Sequence, residues 1–516
     1  MRFRLKSLSL LRDGFNDALL RVIDGLADPA RRRRAALAFV LGYGTLWFVY
    51  GVIAKSSQDL NADMGEMIVW TREPALGYPK HPPLLAYILW AWFKIFPFSD
   101  WAYILLAVVT VSAGMFLAIE LCAEWLTRER LSAVPFLLAA IPFYNFLGLK
   151  FDQNSVLIPL WALAMWAMLR ALDTRLLGWA ALAGLAAGAA MLSKYWSAFL
   201  LVALALAALF HPKRREYFRS AAPWVTAGVF LVAVAPHVWW LIANNFPPIT
   251  WVTTRRLAAS FGDTLGSMAE YLGGTAAYGG IAIALVLVFV RPGRTALVDG
   301  FLPRDERRMA AILFWTPLLL PLLAALITGT SLLSLWSTPA LNLLPVMLLG
   351  SPLLIVPRVA VLRLASVVTV LTLLIVAASP FVAFALLKKG VENNAAYARL
   401  LMKATEREWR QATDKPLRMI AGPFVLVSTA SFYGKDRPST YAHFSKYLSP
   451  WANDERLRRD GMAIMCEDTP LCRHYTDEVA ARYGGASRRA DVTLARDWLG
   501  FKSAPARFII AIVPPR

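Results

Sequence analysis

The chain has 516 residues, of which 58% are hydrophobic and only 17% charged, and its mean hydropathy is positive. That is more apolar surface than a soluble fold of this length buries, and it points to an α-helical polytopic membrane protein. The formal net charge of +20 does not indicate nucleic acid, because the basic residues sit between the hydrophobic runs, where they set membrane orientation.

Residues 1–34 form a basic, partly amphipathic segment without the compact apolar core and small-residue cleavage site of a signal peptide. It is expected to lie on the cytoplasmic membrane surface, with Arg31 to Arg34 anchoring the first span. A crossing needs roughly twenty apolar residues. Runs of that kind place about 11 spans near 35–54, 101–121, 132–148, 155–171, 177–191, 195–210, 222–243, 275–290, 309–328, 338–356 and 362–387. With the N-terminus inside, the inner loops hold about 24 Lys and Arg and the outer loops about 8, a bias kept in register along the chain. The loop 55–100 and everything after residue 387 then face outward.

From about residue 390 the pattern changes. RMIAGPFVLV, STYAHF, GMAIMCE and ARFIIAIVPP read as short strands, and YTDEVAARYG as a helix, so 388–516 is expected to be a small α/β domain. Cys466 and Cys472 close a short loop suited to a disulfide in an oxidising compartment, whereas Cys122 reads as a packing residue. No internal repeat at solenoid periods is visible.

The loop 55–100 contains DMGEMIVWTREPALGYPKHPPL, too charged and too rich in helix breakers to be a span. It supplies Asp59, Asp63, Glu66, Lys80 and His81 to the outer face. Other outer connections add Lys150, Asp152, Asn154, Lys194, Tyr195, His237, Asn244, Asn245, Arg255 and Arg256. Each has a plain structural reading. Asp63 suits a helix start, Lys194 suits snorkelling to headgroups, and Trp239, Trp240, Trp251 and Trp336 suit an interfacial belt. His81 suits a turn made by Pro82 and Pro83, while His237 is an ionisable group within a span. Taken together, outward-facing cations beside a carboxylate suit a lipid-linked phosphate and a general base acting on a hydroxyl.

The run DMGEMIVWTREPALGYPKHPPLLAYILW resembles the first-loop signature of bacterial membrane glycosyltransferases of the protein O-mannosyltransferase-like family, which reads D-E, an aromatic stretch, then G-Y-x-D-H-P-P-L. FDQNSVLIPLWALAMWAMLRAL, GLAAGAAMLSKYWSAFLLV, APHVWWLIANN and LWSTPALNLLPVMLL agree in order, so the resemblance covers most of 35–350. This family includes the transferase that puts aminoarabinose on lipid A and others that modify lipopolysaccharide. The resemblance implies a GT-C fold for residues 35–387, a polyprenyl-phosphate sugar as donor, and inverting transfer to lipid A, lipopolysaccharide or another envelope glycan. It also implies a bacterial inner-membrane location with a periplasmic active site.

By the same resemblance Asp63 takes the position of the catalytic acid, and Lys194 and His81 contact the donor phosphate; read from the residues alone, Lys80, Arg255 and Arg256 are further candidates for that phosphate. Glu66, Asp152, Asn154, Tyr195, His237 and Asn244 are the candidates for sugar or acceptor contact. Met64 and Lys80 stand where relatives carry acids, which leaves no supported metal site, although a divalent metal stays open. Two other readings remain. One is a protein O-glycosyltransferase with the same donor; the other is a lipid-linked sugar flippase, against which the one-sided placement of charge argues.

Overall fold

The computed structural model describes the backbone of residues 2–389 and 397–516, and side chains within those ranges from residue 13 onward. The junction expected at about 390 lies outside the described residues. The chain is mostly helical with a small C-terminal sheet domain, the expected fold class.

Among the described residues, seven helices are long and apolar enough to cross a membrane: Arg32–Ala54, Asp100–Cys122, Gln153–Thr174, Ala222–Ala243, Phe261–Val290, Asp305–Thr328 and Arg358–Ala377. An eighth span forms if the pair Arg128–Ala139 and Pro142–Leu149, bent by 77°, counts as one. The break falls where Pro142 cannot continue the preceding helix. The expected spans at 177–191, 195–210 and 338–356 are shorter helices, Leu177–Ser193, Tyr195–Phe210 and Ser334–Leu349. The run expected at 362–387 breaks after Ala377, before Ser379–Lys388.

The chain divides into two compact units. The first comprises Met1–Phe48, Lys80–Pro82 and Ala107–Ile375. Large apolar side chains such as Phe136, Leu157 and Trp161 are buried between its helices, and small residues let some helices approach closely. A Cβ on Gly184 would lie 2.3 Å from the Thr226 carbonyl oxygen, so Leu177–Ser193 and Ala222–Ala243 touch backbone to backbone there. Side-chain hydrogen bonds also join its elements. The Tyr144 hydroxyl donates to Asn342 Oδ1 at 2.5 Å, and Asn342 Nδ2 donates to the Ile158 carbonyl at 3.0 Å. Cys122 is fully buried among these residues. At the basic N-terminal end, Arg32 and Arg33 both reach Glu120, at 3.2 and 3.0 Å.

The second unit comprises Val49–Pro79, Pro83–Leu106 and Val376–Arg516. Its strands are β1 (Met419–Gly422), β2 (Ser439–Ala442), β3 (Met462–Glu467), β4 (Arg488–Leu494), β5 (Asp497–Trp498), β6 (Phe501–Lys502) and β7 (Ala506–Val513). Five form one sheet in the order β2-β1-β3-β7-β4, and β5 pairs with β6. The strands β2, β1 and β3 are parallel, while β7 runs antiparallel to both β3 and β4. One face of the sheet is filled by Leu401, Trp409 and Phe508, the other by Leu457, Val479 and Tyr483.

Two readings of the tail are corrected. The FVLV of RMIAGPFVLV is not strand: β1 ends at Gly422, and Phe424–Tyr433 is helix. Gly422 sits at φ +149, where a Cβ would strike the Met465 carbonyl oxygen at 2.1 Å, and Pro423 then sets the helix entry. The strand β4 was not anticipated, because an edge strand paired on one side carries the polar sequence RRADVTL.

Apart from Lys80–Pro82, the first long loop folds as part of this second unit. Asn61 caps the helix Ala62–Trp70, its Oδ1 accepting from the Asp63 amide at 3.0 Å. That helix lies on Phe424–Tyr433 so closely that a Cβ on Gly65 would meet the Ser428 carbonyl oxygen at 2.3 Å. The Tyr433 hydroxyl accepts from the Leu60 amide, and Arg72 donates to Ser431 Oγ and to the Pro438 carbonyl. Burial holds the Arg72 guanidinium down at about 9. Asp59, also buried, faces Arg399 at 3.5 Å and Arg496 at 3.4 Å. Burial pushes its carboxyl up to about 6 against the pull of both guanidiniums.

Candidate active site

Within the first unit, residues from five stretches of chain converge. The tight turn Lys80–Pro82 comes from the GYPKHPPL segment. Lys150 and Asp152 precede the helix Gln153–Thr174, and Lys194 follows Leu177–Ser193. Arg255 and Arg256 end the helix Pro247–Arg255, and Trp336 lies in Ser334–Leu343.

Two tryptophans organise the cations. Lys80 Nζ stands 5.0 Å from the centre of the Trp251 ring, and the Arg255 guanidinium carbon 5.7 Å from the same ring. Lys194 Nζ stands 4.8 Å from Trp336 and the Arg256 guanidinium carbon 5.5 Å from it. Each ring thus offers its electron-rich face to one lysine and one arginine. Trp336 is held in turn by Trp196 at 4.9 Å, and Thr275 donates to the neighbouring Ser337. Arg256 is pinned through its backbone: the Ser331 amide donates to the Arg256 carbonyl at 2.7 Å and Leu257 pairs with Thr330.

Lys194 is further fixed by Asn154, whose Oδ1 accepts from Nζ at 2.6 Å. Asn154 Nδ2 donates to Asp152, and Asp152 lies 3.6 Å from Lys150. Asp152 also caps its helix, accepting from the amides of Asn154 and Ser155. Its oxygens are therefore engaged in holding the helix start and Asn154.

Burial and neighbouring charge shift two groups of the site. Burial brings the Lys194 ammonium down to about 7, with Asp152 opposing and Arg256 and Lys150 adding to the fall. His81 is brought down to about 3, first by burial and then by the charges of Lys194 and Lys80. His81 is consequently a neutral imidazole at physiological pH, able to donate one N–H without adding charge. Lysine and arginine groups placed in this way can hold an anion such as a phosphate.

Tyr195 and His237 meet each other, with hydroxyl and Nε2 2.9 Å apart, and His237 stacks on Trp240. Asn244 is exposed, and its Nδ2 donates back to the Trp240 carbonyl, closing the end of its helix. Asp63 and Glu66 belong to the second unit, on the helix Ala62–Trp70, where Asp63 is exposed and Glu66 half-buried. Met64 points inward, 4% exposed, and its carbonyl accepts from the Tyr103 hydroxyl. Among the described residues no three His, Cys, Asp or Glu side chains gather as metal ligands. Trp251 and Trp336 are the residues whose part in the cluster the sequence did not reveal. The only signal was their place beside TRR and within LSLWSTP, which an aromatic belt explains equally well.

Residues 80–240 match the sequence profile of the dolichyl-phosphate-mannose-protein mannosyltransferase family. The chain is 25% identical over 214 residues to the lipid A galacturonosyltransferase RgtD of Rhizobium johnstonii, an alignment covering 41% of this chain and 44% of that protein. Its fold is similar to that of ArnT from Cupriavidus metallidurans, solved bound to undecaprenyl phosphate, with a TM-score of 0.60. That superposition covers 92% of this chain and 97% of ArnT at 15% identity. The chain therefore has the GT-C fold of polytopic membrane glycosyltransferases, and its residues 80–240 are similar to the protein mannosyltransferases.

Proposed function

We propose that the chain is an inverting glycosyltransferase that moves a sugar from a polyprenyl-phosphate donor to lipid A, lipopolysaccharide or another envelope glycan. The observation that carries this reading is the gathering of Lys80, Lys194, Arg255 and Arg256 about Trp251 and Trp336, with neutral His81 among them. The likeness to ArnT supports the donor class, and the likeness to RgtD supports a lipid acceptor.

In the proposed reaction an acceptor hydroxyl oxygen bonds to the anomeric carbon as the bond from that carbon to the phosphate oxygen breaks. The electron pair stays on the phosphate, which leaves as polyprenyl phosphate, and the hydroxyl proton passes to the Asp63 carboxylate. Attack opposite the leaving group inverts the anomeric centre. Negative charge grows on the departing phosphate, and cations already fixed in place stabilise it more in the transition state than in the donor. The lowered affinity of Lys194 for its proton is reversed when a phosphate binds, so the lysine meets its ligand charged. Asn154 serves to position Lys194, while Glu66, Tyr195 and His237 are assigned to sugar or acceptor contact.

The proposed location is a bacterial inner membrane with the site on the periplasmic face and 388–516 as a periplasmic domain. The Lys and Arg bias of the loops supports it, as does the disulfide between Cys466 and Cys472, whose Cα atoms lie 6.3 Å apart. The test is mass spectrometry of envelope lipids and proteins from cells lacking the gene, complemented by wild type or by Asp63→Asn. A sugar-sized mass on lipid, restored by wild type alone, is expected. Restoration by Asp63→Asn removes that residue as base, and sugar found only on proteins moves the acceptor to Ser or Thr side chains.

A further inference from the structure

The C-terminal domain holds a cavity of about 750 Å³, within the ~300–1,000 Å³ range of small-molecule sites. None of the donor-site residues lines it. Its position follows from the sheet. In the order β2-β1-β3 the chain leaves β1 toward β2 and later returns to the far side of β1 as β3. The connections leaving β1 and β3 therefore diverge, opening a crevice at the carboxyl ends of the parallel strands, where open α/β sheets bind ligands. Pro423, just beyond β1, and Glu467 and Thr469, at the end of β3, line it from the two sides.

Two further features set this crevice apart from an incidental gap. Immediately after β2, His443 and Phe444 both adopt left-handed backbone, at φ +51 and +53, although neither is glycine. Consecutive strained residues of this kind gather at binding sites, where they aim side chains that a relaxed loop would turn away. Phe444 is aimed at Tyr475 and Tyr441, with ring centres 6.3 and 6.0 Å apart. Along the helix Pro470–Arg482, the residues Leu471, Tyr475, Glu478 and Arg482 fall on one face and all line the crevice. Leu471 is 65% and Tyr475 45% exposed, an apolar outlay that this small domain makes toward open space.

From this lining we infer that the crevice is a saccharide-binding site. Aromatic faces match the C–H faces of sugar rings. Carboxylates and a guanidinium on the rim accept from and donate to ring hydroxyls with charge-assisted bonds. Glu467 and Glu478 disfavour a phosphate-rich ligand. That the bound saccharide is part of the acceptor glycan rests on the glycosyl-transfer reading; that a saccharide binds at all does not.

The test is ligand-observed saturation-transfer NMR on the full chain in detergent, using lipid-free core oligosaccharide released from lipopolysaccharide, with maltotriose as a neutral probe. Wild type is expected to bind at least one of them. Tyr475→Ala and Glu478→Gln, both at exposed positions, are each expected to weaken binding about tenfold, while Lys194→Ala leaves it unchanged. Absence of binding by both probes, binding indifferent to both pocket variants, or loss of binding in Lys194→Ala each overturns the assignment. Binding in a protein that transfers no sugar in cells leaves the crevice standing and removes the transferase reading. Transfer without binding does the reverse.

Discussion

Two charged clusters, one in each unit, show how differently ionisable groups are used in this chain. In the second unit Asp59 and Asp100 face Arg399 and Arg496, with Tyr433 donating to Asp100 at 2.7 Å. Acids and bases balance, and the cluster ties the first long loop to the C-terminal domain. In the first unit Lys80 and Arg255 stand over Trp251 and Lys194 and Arg256 over Trp336, with Asp152 in electrostatic range of Lys194 and engaged by Lys150 and by its own helix start. The cations rest on tryptophan faces, which attract them without neutralising them. A balanced cluster is a structural tie. The cluster on the tryptophans is the one proposed to hold an anion, and burial lowers the pKa of Lys194 and His81 within it.

That contrast can be broken at several points. The largest effect is expected from Lys194→Ala. Losing one fixed donor to developing negative charge lowers transfer by about 100- to 1,000-fold, while thermal unfolding of the detergent-solubilised protein is unchanged. A matching loss of stability would make Lys194 another structural tie. Asp59→Ala is expected to behave in the opposite way. Removing one partner of a buried pair costs ~3–5 kcal/mol, reduced here to about 2 kcal/mol because the Arg399 side chain is 48% exposed. Denaturant unfolding reads this loss, and activity per folded molecule is retained.

The pH dependence sharpens the same point. The free Lys194 ammonium titrates at about 7, and a bound phosphate favours its protonated form. Above pH 7, affinity for polyprenyl phosphate is therefore expected to fall as pH rises, by up to about tenfold per unit. Titrating polyprenyl phosphate across pH 6 to 9 checks this, and Lys194→Arg flattens the curve. The smallest effect belongs to Trp336→Leu. It removes the shared ring under Lys194 and Arg256 and is expected to weaken donor binding about fivefold, the scale of one cation–π contact.

Much of this was legible in the sequence because charges and prolines stand out against an apolar background. GYPKHPPL and LSKYW could be assigned to one face from span order and loop charge alone, and the structure brings His81, Lys80 and Lys194 within electrostatic range of one another. What the sequence could not express was pairing. Asp59 and Lys194 look alike as outer-loop charges, yet Asp59 is closed off by arginines more than 300 positions away. Trp251 and Trp336 could not be told from belt residues, since a ring under two cations and a ring at the headgroup level obey the same local composition. In the tail, FVLV has strand-like composition but follows Gly-Pro, and the backbone turn at Gly422 decides for helix. The crevice at β1 and β3 was out of reach for a further reason: its walls depend on the strand order, which no single segment encodes.

The most direct test of the central claim is native mass spectrometry of the detergent-solubilised chain with undecaprenyl phosphate, comparing wild type with Lys194→Ala and Asp59→Ala. The account predicts a lipid phosphate retained by wild type and by Asp59→Ala and lost from Lys194→Ala. Equal retention by Lys194→Ala would contradict it, because Lys194 would then have no part in holding the phosphate.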